Sequence, residues 1–297
     1  MRINTLLGKL LSLSIGLSIK IEIKEYYMLC FDERVKHISL KITRAEKHLQ
    51  ELEKELALFF EKKPFQVSVK IDEKARKPIY YLSSVANVPD NIALLTGDII
   101  QNLVTALDHL AYQLISKDTD DNPPKPNAIY FPIAASLEKY EECKLRKLKG
   151  ANVKTISAID QIKPYKGGND LICSLHSLNN IEKHRVLLTA GIKSAGVELF
   201  PTMQDSMIKQ GIPTEAMNQF RSMGIVLIEK VKGFPLTVGS ELYIGAVDEK
   251  PKEDMQFHFD VGLCEDCIVD TISLLTLLRD YIKEVKKITS ELILLLK

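Results

Sequence analysis

The chain has 297 residues, 45% of them hydrophobic and 27% charged, with 40 Lys and Arg against 39 Asp and Glu and a formal net charge of +1. That composition supplies an ordinary core and excludes a disordered chain. The near-neutral balance excludes a protein that meets polyanions over its whole surface, so any basic patch must be local.

The N-terminal "MRINTLLGKLLSLSIGLSIK" has a basic start and an apolar run from Leu10 to Ile19. The run is shorter than the roughly 20 residues that cross a bilayer, no small-x-small cleavage site follows, and no membrane partner is expected. "IKIEIK" (19–24) then alternates like a strand, and Met28 is a second candidate start, so residues 1–27 read as an alternative-start extension or an edge element. From Val35 the apolar positions Val35, Ile38, Ile42, Ala45, Leu49, Leu52, Leu56 and Phe59 alternate spacings of three and four. This predicts a long heptad helix that ends near Pro64.

"FQVSVKI" (65–71) and "KPIYYLSSV" (77–85) predict a small hairpin. Pro89-Asp90 opens a helix over 91–116, with Ile92, Leu95, Ile99, Leu103, Ala106, Leu110 and Leu114 on one face. A loop at 118–127, short helices near 137–148 and 152–161, and the turn "KPYKGGND" (163–170) follow, with Asn169 or Asp170 capping a helix over 170–188. From Gly191 the texture becomes strand-like in "GVELF", "GIVLIEKV", "SELYIGAV" and "MQFHFDVGL", with a short helix at 213–222 among them. The C-terminal positions Ile268, Thr271, Leu275, Leu278, Ile282, Val285, Thr289, Leu292 and Leu296 repeat the heptad alternation. Two such helices can pack together in a bundle.

The expected fold class is α+β: a helical bundle with long N- and C-terminal heptad helices, a small hairpin and an inserted antiparallel sheet of about four strands. Its expected segments are 1–27, the bundle 28–190, the β insertion 191–263, and 264–297 completing the bundle. Cys30, Cys143, Cys173, Cys264 and Cys267 are an odd, scattered set, which suits reduced thiols and a cytoplasmic location. "CEDC" (264–267) has no second pair to complete a zinc site, so it reads as two half-buried thiols at a helix start, and neither metal nor cofactor is expected.

On the helix 91–116, Asp98, Asn102, Thr105 and His109 form a narrow stripe opposite the apolar face, at about 100° per residue. It lacks the Lys/Glu character of the other polar faces, which suits a surface that packs on something. The octapeptide "LNNIEKHR" (178–185) lies on the helix 170–188. There His176, Asn180, Lys183 and His184 share one face opposite Leu171, Leu175, Leu178 and Val186, with Asn179 and Arg185 adding further donors. Such a stripe suits a buried polar network, a ligand or nucleic-acid site, or a surface with no role. The elbow, Walker, dinucleotide and zincin motifs are absent, as is the Glu-x-x-His pair of di-iron bundles. The "KGGND" turn could receive an anion, though a turn and cap explain it as well. What remains is metal-free acid–base chemistry. RNA cleavage through its own 2′-hydroxyl needs a base, an acid and a cation, which His109, His184, Lys183 and Arg185 can supply. Arg44 and His48 on the first long helix are further candidates, in a charge-rich setting that suits a solvated face.

At "LTGDIIQNLVTALDHLAYQLI" (95–115) and "LHSLNNIEKHRVLL" (175–188) the chain resembles a widespread uncharacterised bacterial family. That family carries Gly-Asp…Asn-Leu-Arg-x-Ala-Leu-Asp-His-Leu-Ala followed by Leu-Asn-Asn-x-Asp/Glu-Lys-His-Arg. "YFPI" (130–133) and "KPYKGG" are also similar, and the likeness spans most of 30–290. The family's Arg-x4-His resembles the signature of HEPN domains, helical bundles that often act as dimeric, metal-free ribonucleases. The resemblance implies an RNA partner, a homodimer, His109 as the motif histidine and Asn102 as its polar lead residue. Val104 stands where the motif has Arg. Either this member is inactive, or Arg185 or Lys183 supplies the cation, or the analogy fails. Two functions follow as expectations. One is a HEPN-like RNA-directed protein, a metal-independent ribonuclease in a defence or toxin setting. The other is a non-catalytic binding or assembly protein whose polar motifs form a buried network.

Overall fold

The computed structural model describes residues 3–184, 188–198, 200–222, 226–227, 234–265 and 272–297, with 3–30 described by backbone alone. Helix α1 runs over Ile3–Glu61 as one element of 59 residues. The strand-like reading of 19–24 is therefore corrected. No proline precedes Pro64, and a helix already propagating adds a hydrogen bond with each residue it fixes, whereas an isolated alternating hexapeptide has no strand to pair with. The predicted heptad positions Ile38, Ile42, Ala45, Leu52, Leu56 and Phe59 are buried, while Val35 and Leu49 are half-buried.

The hairpin forms as expected from β1 (Phe65–Asp72) and β2 (Lys77–Val85), antiparallel, with a bulge that leaves Ser83 out of register. Helix α2 (Asp90–Asp118) follows. Its predicted apolar face is buried, and so are Ile100, Val104, Leu107, Ala111 and Ile115. The helix is thus covered over a wider arc than a single amphipathic stripe. Helices α3 (Leu137–Lys147) and α4 (Val153–Ile162) are capped by Ser136 and Asn152, whose side chains accept from the backbone N–H of Lys139 and Thr155. Helix α5 covers Asp170–His184.

Strand β3 (Ala190–Glu198), helices α6 (Phe200–Lys209) and α7 (Thr214–Ser222), and strands β4 (Val226–Leu227), β5 (Glu241–Ile244) and β6 (Phe257–Leu263) come next. The α+β class with an inserted antiparallel sheet is as expected. Among the described residues the strands form two antiparallel sheets, β1-β2-β5 and β4-β3-β6, so β5 lies outside the inserted one. The "SELYIGAV" strand leaves its sequence neighbours and pairs with the hairpin through Ile79↔Ile244 and Tyr80↔Tyr243. The "GVELF" segment also ends in α6, with Pro201 in the first turn, where a missing N–H costs no bond.

Helix α8 (Leu274–Leu292) closes the chain. Of its predicted seam, Leu278, Ile282, Val285, Thr289, Leu292 and Leu296 are buried; Ile268 and Thr271 lie outside the described residues.

The chain divides into two compact units, one of 1–47, 98–179 and 280–297, the other of 48–97 and 180–279. The division falls within α1, α2, α5 and α8, and not at 190/191 or 263/264. The first unit is helical, and the second contains both sheets. In each, α1 and α8 are tied by an ion pair: Glu46–Lys286 at 2.5 Å in the first and Glu53–Arg279 at 2.6 Å in the second. No described helix is long and apolar enough to cross a membrane.

Candidate functional site

The first unit holds the polar stripe of α2. Its spacing is that of successive helical turns, and two members bond back to their own helix: Asn102 Nδ2 donates to the Asp98 carbonyl and Thr105 Oγ1 to the Gln101 carbonyl, both at 2.7 Å. Asn102, Thr105 and His109 are half-buried. The face packs on something, as the lack of long charged side chains suggests, and for His109 the neighbour is α1. The imidazole meets that of His37 edge to face, with ring centroids 6.3 Å apart and planes at 81°. Burial holds the His109 pKa below its ordinary value, and the positive charges of Lys41 and His37 push it the same way. His109 is therefore a neutral imidazole at neutral pH, able to accept a proton. Arg44 follows Lys41 by three residues, on the same side of α1, and is exposed. Arg34 is committed elsewhere: its Nη2 contacts both Asp121 carboxylate oxygens at 2.7 Å. Among the described residues neither Lys41 nor Arg44 forms an ion pair.

Two imidazoles and an ammonium at one place are the parts of metal-free phosphodiester chemistry: a base, an acid and a phosphate-holding cation. His37 and Lys41 were absent from the sequence candidates. Their four-residue spacing was visible, but α1 is so rich in charge that a solvated face explains the pair equally well. Val104, at the position of the motif Arg, is only 4% exposed and belongs to the α2 core. His48 is buried with Nδ1 3.0 Å from Glu51 Oε2, a structural contact within α1.

The α5 candidates divide between the units. His176 and Asn179 belong to the first; Asn180 and Lys183 belong to the second, where both are exposed. The His184 side chain and Arg185 lie outside the described residues. Asn179, set apart from the polar face by the helical wheel, is only 2% exposed, and its Oδ1 has no hydrogen-bond partner among the described residues.

Several residues of the family-like motifs clasp loops to helices. Asp108 Oδ1 accepts the Phe131 N–H at 2.9 Å, joining "ALDHLA" to "YFPI". Ala134 bridges to Tyr165, and its N–H donates to the Pro164 carbonyl at 3.0 Å, joining the "YFPI" loop to "KPYKGG". A Cβ on Gly168 would stand 2.5 Å from the Lys163 carbonyl oxygen, so the turn tolerates only glycine there. Asn169 Oδ1 caps the Ile172 N–H at 3.2 Å, its Nδ2 donates to Glu284 Oε1 at 2.8 Å, and Asp170 Oδ1 takes the Gly167 N–H at 2.7 Å. Gly167, Gly168 and Asn169 thus use their N–H groups within the turn, and Asn169 caps α5. In the second unit, a Cβ on Gly97 would meet Glu182 Cγ at 3.0 Å, which accounts for the glycine of the Gly-Asp pair.

Cys264 is half-buried and extends the β3–β6 pairing, its N–H donating to the Thr189 carbonyl at 2.8 Å. It follows β6; Cys267 lies outside the described residues, and with it the reading of the pair as the start of a helix. Among the described residues no group of three or more His, Cys, Asp or Glu is placed to hold a metal ion. In comparisons with known proteins the chain matches no family model, no curated protein and no solved structure.

Proposed function

We propose that the chain is a HEPN-like, RNA-directed protein that cleaves RNA without a metal, as a cytoplasmic homodimer in a defence or toxin setting. The observation that supports this reading is the half-buried His109 held against His37 with Lys41 beside it. Neutral His109 takes the proton of a ribose 2′-hydroxyl. The freed oxygen attacks the adjacent phosphorus, and His37 in its protonated form gives a proton to the leaving 5′-oxygen. The products are a 2′,3′-cyclic phosphate and a 5′-hydroxyl. Lys41 and Arg44 hold the phosphate in place of the Arg that Val104 replaces, and Asp98 and Asn102 line the approach on α2. Lys183, His184 and Arg185, with Asn180 and His176 on the same helix, are then proposed contacts to the RNA backbone and not the reacting groups, while the buried Asn179 is a packing residue.

The test is incubation of a mixed RNA pool with purified protein in EDTA. Wild type is expected to leave cyclic phosphate ends. His109→Ala and His37→Ala are each expected to lose roughly 100- to 10,000-fold, and His184→Ala to weaken binding more than turnover. Cleavage that survives both of the first two substitutions sinks the site.

The bonds from Asp108 to Phe131 and from Asn169 to Glu284 favour a second reading, a non-catalytic binding or assembly protein whose polar motifs are structural. It expects no cleavage from the folded wild type.

A further inference from the structure

We propose that the outer edge of β1 pairs antiparallel with β1 of a second copy of this chain, joining the two hairpin sheets. In the order β1-β2-β5 the first strand has, among the described residues, a neighbour on one side only. Its eight residues, "FQVSVKID", contain no proline, and Lys70 is the sole charge before the terminal Asp72. Natural edge strands are usually blunted by prolines, charges, bulges or extreme shortness, and of these β1 carries only Lys70 before its last residue. The bulge opposite Gln66 and Val67 lies in β2, so β1 keeps a strict alternation.

That alternation places Val67, Val69 and Ile71 on one face, opposite Leu82, Tyr80 and Pro78 of β2. Leu82, Tyr80 and Pro78 are buried, and Tyr80 packs on Phe257 at 5.6 Å and on Tyr243 at 6.0 Å. The cover runs out at the edge, where Val69 is 37% and Ile71 50% exposed. The apolar face therefore continues past the atoms that cover it, beside a row of strand N–H and C=O groups without a sheet partner among the described residues.

The sequence of β1 also names the occupant, because it is self-complementary. A two-fold axis through Ser68 sets Phe65 against Ile71 of the partner subunit and Val67 against Val69 of the partner subunit. On the opposite face it sets Gln66 against Lys70 of the partner subunit and Ser68 against its own counterpart. Apolar residues meet apolar ones along one face, and no like charges are opposed. An interface of this kind is isologous, as closed dimers require. It supplies a surface for the homodimer of the proposed function, and since β1 contains none of the residues assigned to RNA cleavage, the RNA assay and the dimer assays can fail separately.

The register makes the test sharp. In the full chain, Ser68→Cys places two thiols directly opposite each other across the axis, within disulfide range. Gln66→Cys places them four residues apart along the pair, out of range. Mild oxidation is expected to give a covalent dimer from Ser68→Cys, and not from Gln66→Cys or wild type, which controls for the native cysteines. Val69→Lys is expected to raise the dimer dissociation constant at least tenfold by light scattering, with the circular dichroism of wild type. A chain that is monomeric across the micromolar range overturns the proposal. So does a dimer that neither cross-links at position 68 nor responds to Val69→Lys, or an edge strand protected from hydrogen exchange in a monomer.

Discussion

Asp108 and His109 are adjacent in the sequence and do different work. Asp108 receives the Phe131 N–H and fixes the "YFPI" loop on α2, while His109 faces α1 with His37. Asp108→Ala leaves that N–H without its acceptor and is expected to cost about 1–3 kcal/mol, read as a lower urea midpoint with an unchanged m-value. The loss is expected under both readings of the motifs, because a loop clasp lowers stability whether or not RNA is cleaved. Val104 makes a related point. The motif spacing placed it beside His109 in sequence, yet its side chain is in the core, so the cation near His109 comes from another helix. Nothing local to "NLVTALDHLA" reveals that.

Among the elements, the helices were legible and their partners were not. Heptad spacing found α1 and α8, and Asn169, read from the sequence as a cap, does cap α5. Asn152 caps α4 and also donates to Asp118 Oδ1 at 2.6 Å while its own N–H meets Oδ2 at 2.9 Å. Asn152→Ala is expected to lower stability by about 1 kcal/mol or slightly more, since both the cap and the side-chain bond to the end of α2 are lost; thermal unfolding checks it. The Glu46–Lys286 pair is partly exposed, so its proximity gives geometry more than energy. A double-mutant cycle with Glu46→Ala and Lys286→Ala is expected to show coupling of about 0.2–1 kcal/mol that fades in high salt. The 59-residue length of α1 was missed because "IKIEIK" fits the strand period over six residues, too short a window to outweigh an unbroken helix.

For the whole molecule, the cluster around His109 sets a pH dependence. An unfolded histidine titrates near 6.5, and His109 is held lower by burial and by Lys41 and His37. Between those two values the unfolded chain binds the extra proton. Folding stability from this group is therefore complete above pH 6.5 and is lost as pH falls through the window below it. Melting temperature across pH 5–8 is expected to drop on the acid side, less steeply in His109→Gln, and inorganic phosphate is expected to offset part of the drop by neutralising the cluster.

The sequence by itself determined the periodic elements, the Asn169 cap, the α+β class and the choice of His109 and Asn102 as members of a packed polar face. Each follows from residues within a few turns of one another, where spacing dictates which side chains share a surface. Only the tertiary structure decided that β5 joins the hairpin, that His37 and Lys41 face His109, that Val104 is in the core, and that Asp108 and Asn169 hold loops and helices together. Those outcomes depend on which distant segments meet. Helical and strand periods say which face is buried and are silent on what buries it.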